Sequence, residues 1–428
     1  MLKQLSFRKY SLLLLSVYFL GDHISSQRIS SLNEHDLSQA TGASVVAAPT
    51  GIRSTVLTDA NIAPKKSSKK EINVLLNDPA MPHTWGLKQT DVQKAWKISQ
   101  GSKKVVVAVI DTGVDIKQED IKNNLWINPN PTKGDLHGWN FVNDNNDLSD
   151  NHGHGTHIAG IIGAEGGNGK GISGVSPQVS LMILKYYDPN SRGSDNLKNT
   201  IRAIHYAIDN GAHIINYSGG GLDYSEEEKA AIERARRRGI LFVAAAGNER
   251  SNSDIKKYYP ADYDLDNIIS VTALDQKQQI LPSSNYGVQT VHIAAPGNNI
   301  YSTLPNNRYG YMTGTSQATA FVSGVAALIL AHHQDLKPYQ IGAYLKNTGD
   351  LIDGLKDKTA TSRKINSYRA LSILGQGMGA TGVIATNSSN LNTTFNPSSQ
   401  QQARQARRES QKEGSLESFA NSLLQKIQ

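Results

Sequence analysis

Val105-Val-Val-Ala-Val-Ile-Asp111-Thr-Gly-Val-Asp115 decides the fold class. Six apolar, mostly β-branched residues run without a polar break and end on a carboxylate and a Thr-Gly turn. A strand that is apolar at every residue is buried on both faces, the pattern of a parallel sheet covered by helices. Groups that act on ligands collect at the carboxyl ends of such strands. Comparable runs recur at 179–184, 214–215, 240–246 and 268–271. Between them, 198–209 places Ile201, Ile204, His205 and Ile208 at helical spacing, and 226–238 is a charged helix carrying Ala230, Ala231 and Ala235. Residues 338–347 read as a closing helix. Strands alternating with helices predict an α/β domain.

Three further segments carry chemistry. Asn151-His-Gly-His154-Gly-Thr-His157-Ile-Ala-Gly160 sets small residues around a histidine at an expected helix start. Gly314-Thr-Ser316-Gln-Ala-Thr-Ala-Phe-Val-Ser-Gly324 puts a serine at the start of an apolar helix, where the dipole and unpaired N–H groups favour negative charge. Phe242-Val-Ala-Ala-Ala-Gly247-Asn248-Glu follows a buried run with an asparagine able to donate to a developing oxyanion. A serine is a weak nucleophile at neutral pH and needs a base, which His154 supplies if Asp111 holds its tautomer. Asp, His and Ser in this chain order form a recurrent arrangement for acyl transfer. Metal binding by His152, His154 and His157 is the competing reading. These spacings cannot share one helix face, and the chain has no His-Glu-x-x-His pattern. The run Gly163-Ala-Glu-Gly-Gly-Asn-Gly-Lys170-Gly fails as a phosphate loop, since Ala164 and Gly171 stand where Gly and Ser/Thr are needed.

Asp111-Thr-Gly, His154-Gly-Thr-His, Ala246-Gly-Asn248 and Gly314-Thr-Ser316 resemble, in order and spacing, the subtilisin-like serine peptidases (subtilases), over about 77–374. The resemblance implies a three-layer α/β/α fold with a central, mostly parallel, seven-stranded sheet. It assigns catalytic roles to Asp111, His154, Ser316 and Asn248. It makes Ser218, Gly220 and Gly221 part of a strand that pairs with an extended peptide, and Ala245 to Gly247 a wall of the pocket for the residue before the scissile bond. Tyr258, Tyr259 and Pro260 would line that pocket, and a bulky residue near its floor would favour small side chains. Thermitase-like members bind Ca²⁺. The corresponding positions are Asp78, Asp120 and Asn168, with carbonyls at Glu165, Lys170 and Ile172, an oxygen-only set that suits this ion. A second family site falls on Asn140, Asn143, Asn145, Asp147 and Ser149, with one carboxylate. Four departures stand out. Gln317 replaces a frequent methionine, Ala320 a helix-start proline, Ser323 a small apolar residue, and Gly219 a larger residue, which should widen or loosen a neighbouring subsite.

The remaining chain is organised around that domain. Lys3, Arg8 and Lys9 precede a short apolar run, so 1–26 reads as a signal peptide, with an uncleaved anchor as the alternative. Residues 27–73 read as a pro-segment or linker, 74–374 as the peptidase domain and 375–428 as a low-complexity tail. Expected partners are extended protein or peptide substrates, with a secreted or periplasmic monomer and no membrane span once the signal is removed. The 428 residues carry a net charge of +7, concentrated near the ends, without the aromatic interleaving of a nucleic-acid binder. The absence of cysteine excludes disulfides, thiolate metal sites and a cysteine nucleophile. A catalytically silent fold used as a binding module is the alternative to an enzyme.

Overall fold

The computed structural model describes residues 75–374. The expected signal peptide, pro-segment and C-terminal tail lie outside the described residues. The decisive stretch forms β1 (Gly101–Asp111), whose last seven residues are all buried. It pairs in parallel with β3 (Gln178–Lys185) on one side and β4 (Ile214–Tyr217) on the other. β2 (Gly138–Asn140) extends the sheet past β3, and β5 (Leu241–Ala245), β6 (Ile268–Leu274) and β7 (Ile293–Pro296) follow β4 in succession, all parallel. These seven strands are the sheet the resemblance implied. The structure adds two more at the β7 edge: β11 (Arg363–Lys364), parallel to β7, and β10 (Asp350–Leu351), antiparallel to β11. Each is only two residues long and without an apolar run, so neither carries a sequence signal. β8 (Ile300–Leu304) and β9 (Arg308–Met312) form a separate hairpin, with Asn306 and Asn307 at positive φ in its turn.

Alternation along β1 builds the layers. Val105, Val107 and Val109 face one core, and Val106, Ala108 and Ile110 the other. On the first face lie α3 (His154–Gly163), α6 (Thr315–His332), α7 (Pro338–Thr348) and α8 (Ser367–Leu374), with the short α1 (Trp85–Gln89) and α2 (Val92–Ala95). On the second face lie α4 (Gly193–Asp209), through Ala203, Ile204 and Ala207, and α5 (Glu226–Arg237), through Ala231, Ile232 and Ala235. In α6 every residue from Thr315 to Leu330 is buried. It is the one described helix long and apolar enough to cross a membrane, and it forms the centre of the core. α5 starts where Ser225 Oγ accepts the Glu228 N–H at 3.2 Å. Its acidic first turn and basic last turn match the helix dipole.

The consequence for function is positional. Asp111 ends β1, Ser218 follows β4, and Ala246 to Asn248 follow β5, all at the carboxyl edge of the sheet.

Candidate active site

Asp111 and His154 meet at this edge. Nδ1 of His154 lies 2.7 Å from Asp111 Oδ1, and Thr112 N–H donates to the same oxygen at 2.8 Å. Because a carboxylate only accepts, this contact places the imidazole proton on Nδ1 and leaves Nε2 as the acceptor nitrogen. The approach depends on Gly155. A Cβ there would collide with the Gly113 carbonyl and sit 3.2 Å from Asp111 Oδ1. Gly153, just before the histidine, has φ 93°, a conformation that favours glycine.

Sequence reasoning did not single out Asp150, which ties these two segments together. Its Oδ1 accepts from Thr112 Oγ1 (2.9 Å), His152 N–H (3.1 Å) and Gly153 N–H (2.8 Å), and its Oδ2 from Thr156 N–H (2.9 Å) and Thr156 Oγ1 (2.6 Å). One buried carboxylate thereby satisfies donors at the start of α3 and anchors the turn after Asp111. The available signal was an acid four residues before the histidine, at a helix N-terminus.

The other histidines do not form a metal site. No cluster of three or more metal-ligating side chains occurs among the described residues. His157 faces the hairpin, with Nε2 3.0 Å from the Ile300 carbonyl and 3.2 Å from that of Gly310. Complete burial lowers its pKa to about 3, so it is neutral and structural. Burial, with the neighbouring His154 next in weight, also lowers the His152 pKa.

Ser316 is the second residue of α6 and is fully buried. Its Oγ donates to the Ser218 carbonyl at 3.2 Å. Behind it runs a polar chain: Ser323 Oγ donates to Asn216 Oδ1 at 2.9 Å, and Asn216 Nδ2 donates to Ser218 Oγ at 3.2 Å. The hydroxyl at 323 thus has a partner in β4. Asn248 reaches the same helix start, where its Oδ1 accepts the Thr315 N–H at 3.1 Å. The four expected catalytic positions therefore form two linked groups at one sheet edge: Asp111 with His154, and Ser316 and Asn248 at the head of α6.

Beyond Ser218 the chain leaves the sheet. Gly221 pairs with Tyr259 through two main-chain bonds of 2.8 and 2.7 Å. At Gly219, where the sequence predicts a widened neighbouring subsite, the Tyr186 hydroxyl stands where a Cβ would project. Tyr258 fills space between the two expected pocket walls. A Cβ on Gly220 would lie 2.5 Å from its Cε1, and one on Gly247 would lie 3.0 Å from its Cδ2. Ala245, at the end of β5, completes the second wall.

The residues expected around calcium also converge. Asp78 accepts from Gly167 N–H (2.7 Å), Gly169 N–H (2.9 Å) and Ser173 Oγ (2.8 Å). Asp120 accepts from Asn168 Nδ2 (2.8 Å), Ile172 N–H (2.9 Å) and the Tyr309 hydroxyl (3.0 Å). Two buried carboxylates thus share one glycine-rich loop, and neither has an ion-pair partner among the described residues. Asn168 Oδ1 is turned toward Lys170 N–H at 2.8 Å. The Glu165, Lys170 and Ile172 carbonyls accept no hydrogen bond from the described residues. At both expected sites the side-chain oxygens are engaged by the loops themselves, and the second has a single carboxylate. Asn140 Oδ1 accepts from Val142 and Asn143 N–H, Asn145 Oδ1 from Asp147 N–H, and Asp147 Oδ1 from Ser149 N–H, so their oxygens are engaged in the loop itself.

With fold and geometry described, the relatives can be placed. A profile of the Subtilase family, Peptidase S8, matches residues 102–403. Thermitase from Thermoactinomyces vulgaris is 34% identical over 296 residues, covering 69% of this chain and 98% of thermitase. Subtilisin-like protease 2 of Plasmodium falciparum is 35% identical over 314 residues, 71% of this chain but only 23% of the relative, so the chain spans about a quarter of that protein's length. The crystal structure of fervidolysin from Fervidobacterium pennivorans, a keratinolytic enzyme related to subtilisin, superimposes with a TM-score of 0.61 at 30% identity, covering 69% of this chain and 46% of fervidolysin. The fold and the site together define a subtilisin-like serine peptidase domain. The chain belongs to the subtilase family.

Proposed function

We propose that this chain is an exported serine endopeptidase that cuts extended polypeptides through an acyl-enzyme on Ser316. The observation that carries this reading is the Asp111–His154 contact of 2.7 Å at the same sheet edge as a serine on a buried helix start. In this reading His154 Nε2 takes the Ser316 Oγ proton as Oγ attacks the scissile carbonyl, and later returns it to the leaving amine. Asp111 keeps the imidazole in the required tautomer and stabilises its protonated form. Asn248, with Oδ1 held by the helix start, turns its N–H group to the acyl oxygen. The substrate lies along Ser218 to Gly221 as an added strand. Treatment with a fluorophosphonate probe tests the reading. The full chain is expected to label and Ser316→Ala to remain unlabelled, whereas failure of the unaltered chain to label supports a silent binding module.

Tyr258 narrows the pocket for the residue before the scissile bond. Tyr258→Gly is expected to raise kcat/KM for Phe over Ala at that position by roughly 10²-fold, the scale of burying one aromatic side chain. Peptide pairs differing only there provide the measurement, and an unchanged ratio would place the pocket elsewhere.

We also propose one structural Ca²⁺ held by Asp78, Asp120 and Asn168 with the carbonyls of Glu165, Lys170 and Ile172. Two carboxylates without cations and three carbonyls without protein donors fit a hard, oxygen-loving ion. When bound, the ion neutralises the paired carboxylates and pins the loop to the start of the domain. Removing it with chelator is expected to lower Tm by roughly 5 °C. An Asp120→Asn variant should be insensitive to chelator, and a melting curve of the unaltered chain unmoved by chelator would dismiss the site.

A further inference from the structure

Asn285 lies in the connection between β6 and β7 and is completely buried. It holds the loop that carries Asn248 from both sides of that residue. Its N–H donates to the Gly247 carbonyl at 2.9 Å. Its Nδ2 donates to the Ala246 carbonyl at 2.9 Å and to Glu249 Oε2 at 2.6 Å. Its Oδ1 accepts the N–H groups of Glu249 at 3.0 Å and Ser251 at 2.9 Å. Both amide hydrogens and both acceptor positions are thereby used. The approach is close: Gly247 has φ 99°, and a Cβ there would lie 2.5 Å from Asn285 Nδ2.

The amide is itself tied to the sheet. Thr272 Oγ1, on β6, donates to the Asn285 carbonyl at 2.8 Å. Ser284 Oγ lies 2.7 Å from Thr272 Oγ1 and accepts the Ala273 N–H at 3.1 Å. Loop closure alone does not account for this side chain. The far half of the loop is closed by main-chain bonds, from Arg250 N–H to the Ser283 carbonyl (2.9 Å), Tyr286 N–H to that of Ser251 (3.0 Å) and Ser253 N–H to that of Tyr286 (2.7 Å). The amide adds its bonds at 246, 249 and 251, around Asn248. Asn248 reaches α6 through Oδ1, 3.1 Å from the Thr315 nitrogen. That single contact fixes one point of the carboxamide, and the direction of its N–H groups depends also on the backbone at 247 and 249, which Asn285 holds.

We propose that Asn285 is a positioning residue for the oxyanion donor. By fixing the backbone on both sides of Asn248 against the sheet, it aims the carboxamide before charge develops, so no rearrangement is needed during the reaction. The assignment rests on the proposed oxyanion role of Asn248 and deepens it. A donor displaced by about 1 Å loses much of its effect, so the expected loss lies below that of deleting the donor outright.

The test is a double-mutant cycle on the full chain: Asn285→Ala, Asn248→Ala and both together, with one peptide and with rates normalised to folded protein by thermal melting. Asn285→Ala is expected to lower kcat roughly 10–10²-fold while KM changes less than about 3-fold. In the Asn248→Ala background the same substitution should change kcat by less than about 2-fold, because the group it positions is gone. A role in stability alone predicts the same factor in both backgrounds. That result, or a rise in KM at constant kcat, overturns the assignment and leaves the oxyanion reading standing so long as Asn248→Ala is itself slow. If Asn248→Ala is as fast as the unaltered chain, or the unaltered chain cuts nothing, the oxyanion reading fails and the positioning role falls with it. Should Asn285→Ala not fold, Asn285→Asp, which keeps an acceptor for Glu249 and Ser251 N–H but loses both donors, is expected to show the same coupling. Failure of both variants to fold makes Asn285 a folding residue and overturns the proposal.

Discussion

Ser316→Ala is expected to lower kcat about 10⁶-fold, and Asp111→Asn about 10⁴-fold, on any peptide the chain cleaves. The double variant should be no slower than the serine variant alone. The reason is mechanical. Without a nucleophile, the base has no proton to move, so removing its orienter costs nothing more. Asp111→Asn acts differently. Its side chain can donate at the oxygen position that now accepts from His154 Nδ1 and Thr112 N–H. That would favour the tautomer protonated on Nε2, which cannot act as the base. Single-turnover measurements on the three variants check the pattern. Multiplying losses would show that the groups do not work as one unit.

Asn248→Ala is expected to lower kcat by about 10²–10³-fold with little change in KM. The carboxamide is fixed at one end, because Oδ1 accepts the Thr315 N–H at 3.1 Å. Its orientation is therefore set before substrate arrives, and in the proposed oxyanion role its N–H groups would contribute to the transition state rather than to ground-state binding. Steady-state kinetics on one peptide separate the two parameters. A rise in KM at constant kcat would recast Asn248 as a substrate clamp.

Much of this was legible in sequence because the chemistry is local. A buried run ending in Asp111, a Gly-flanked His154 and a small-residue helix start at Ser316 each announce their place at an element boundary. Features that depend on partners distant in sequence were not. Gly219 reads as added space, yet Tyr186 occupies it. Asp150 reads as a loop acid, yet it joins two motifs 38 residues apart through Thr112. Residues 350–351 and 363–364 carry no periodicity; 363–364 become a strand by pairing with β7, and 350–351 by pairing with 363–364 in turn. Glu226, Glu227 and Glu228 look alike in sequence, but Glu228 lies on the helical stripe of Ala231, Ile232 and Ala235, and the structure turns it inward. That spacing was available and would have marked it.

The placement of Ser316 on α6 bears on how activity is lost under heat. A hydroxyl mounted on a helix buried from Thr315 to Leu330 cannot drift while the rest of the domain stays intact. Inactivation and cooperative melting should therefore be one event with one temperature dependence, and a partly opened form that still cuts peptides has no place in the scheme.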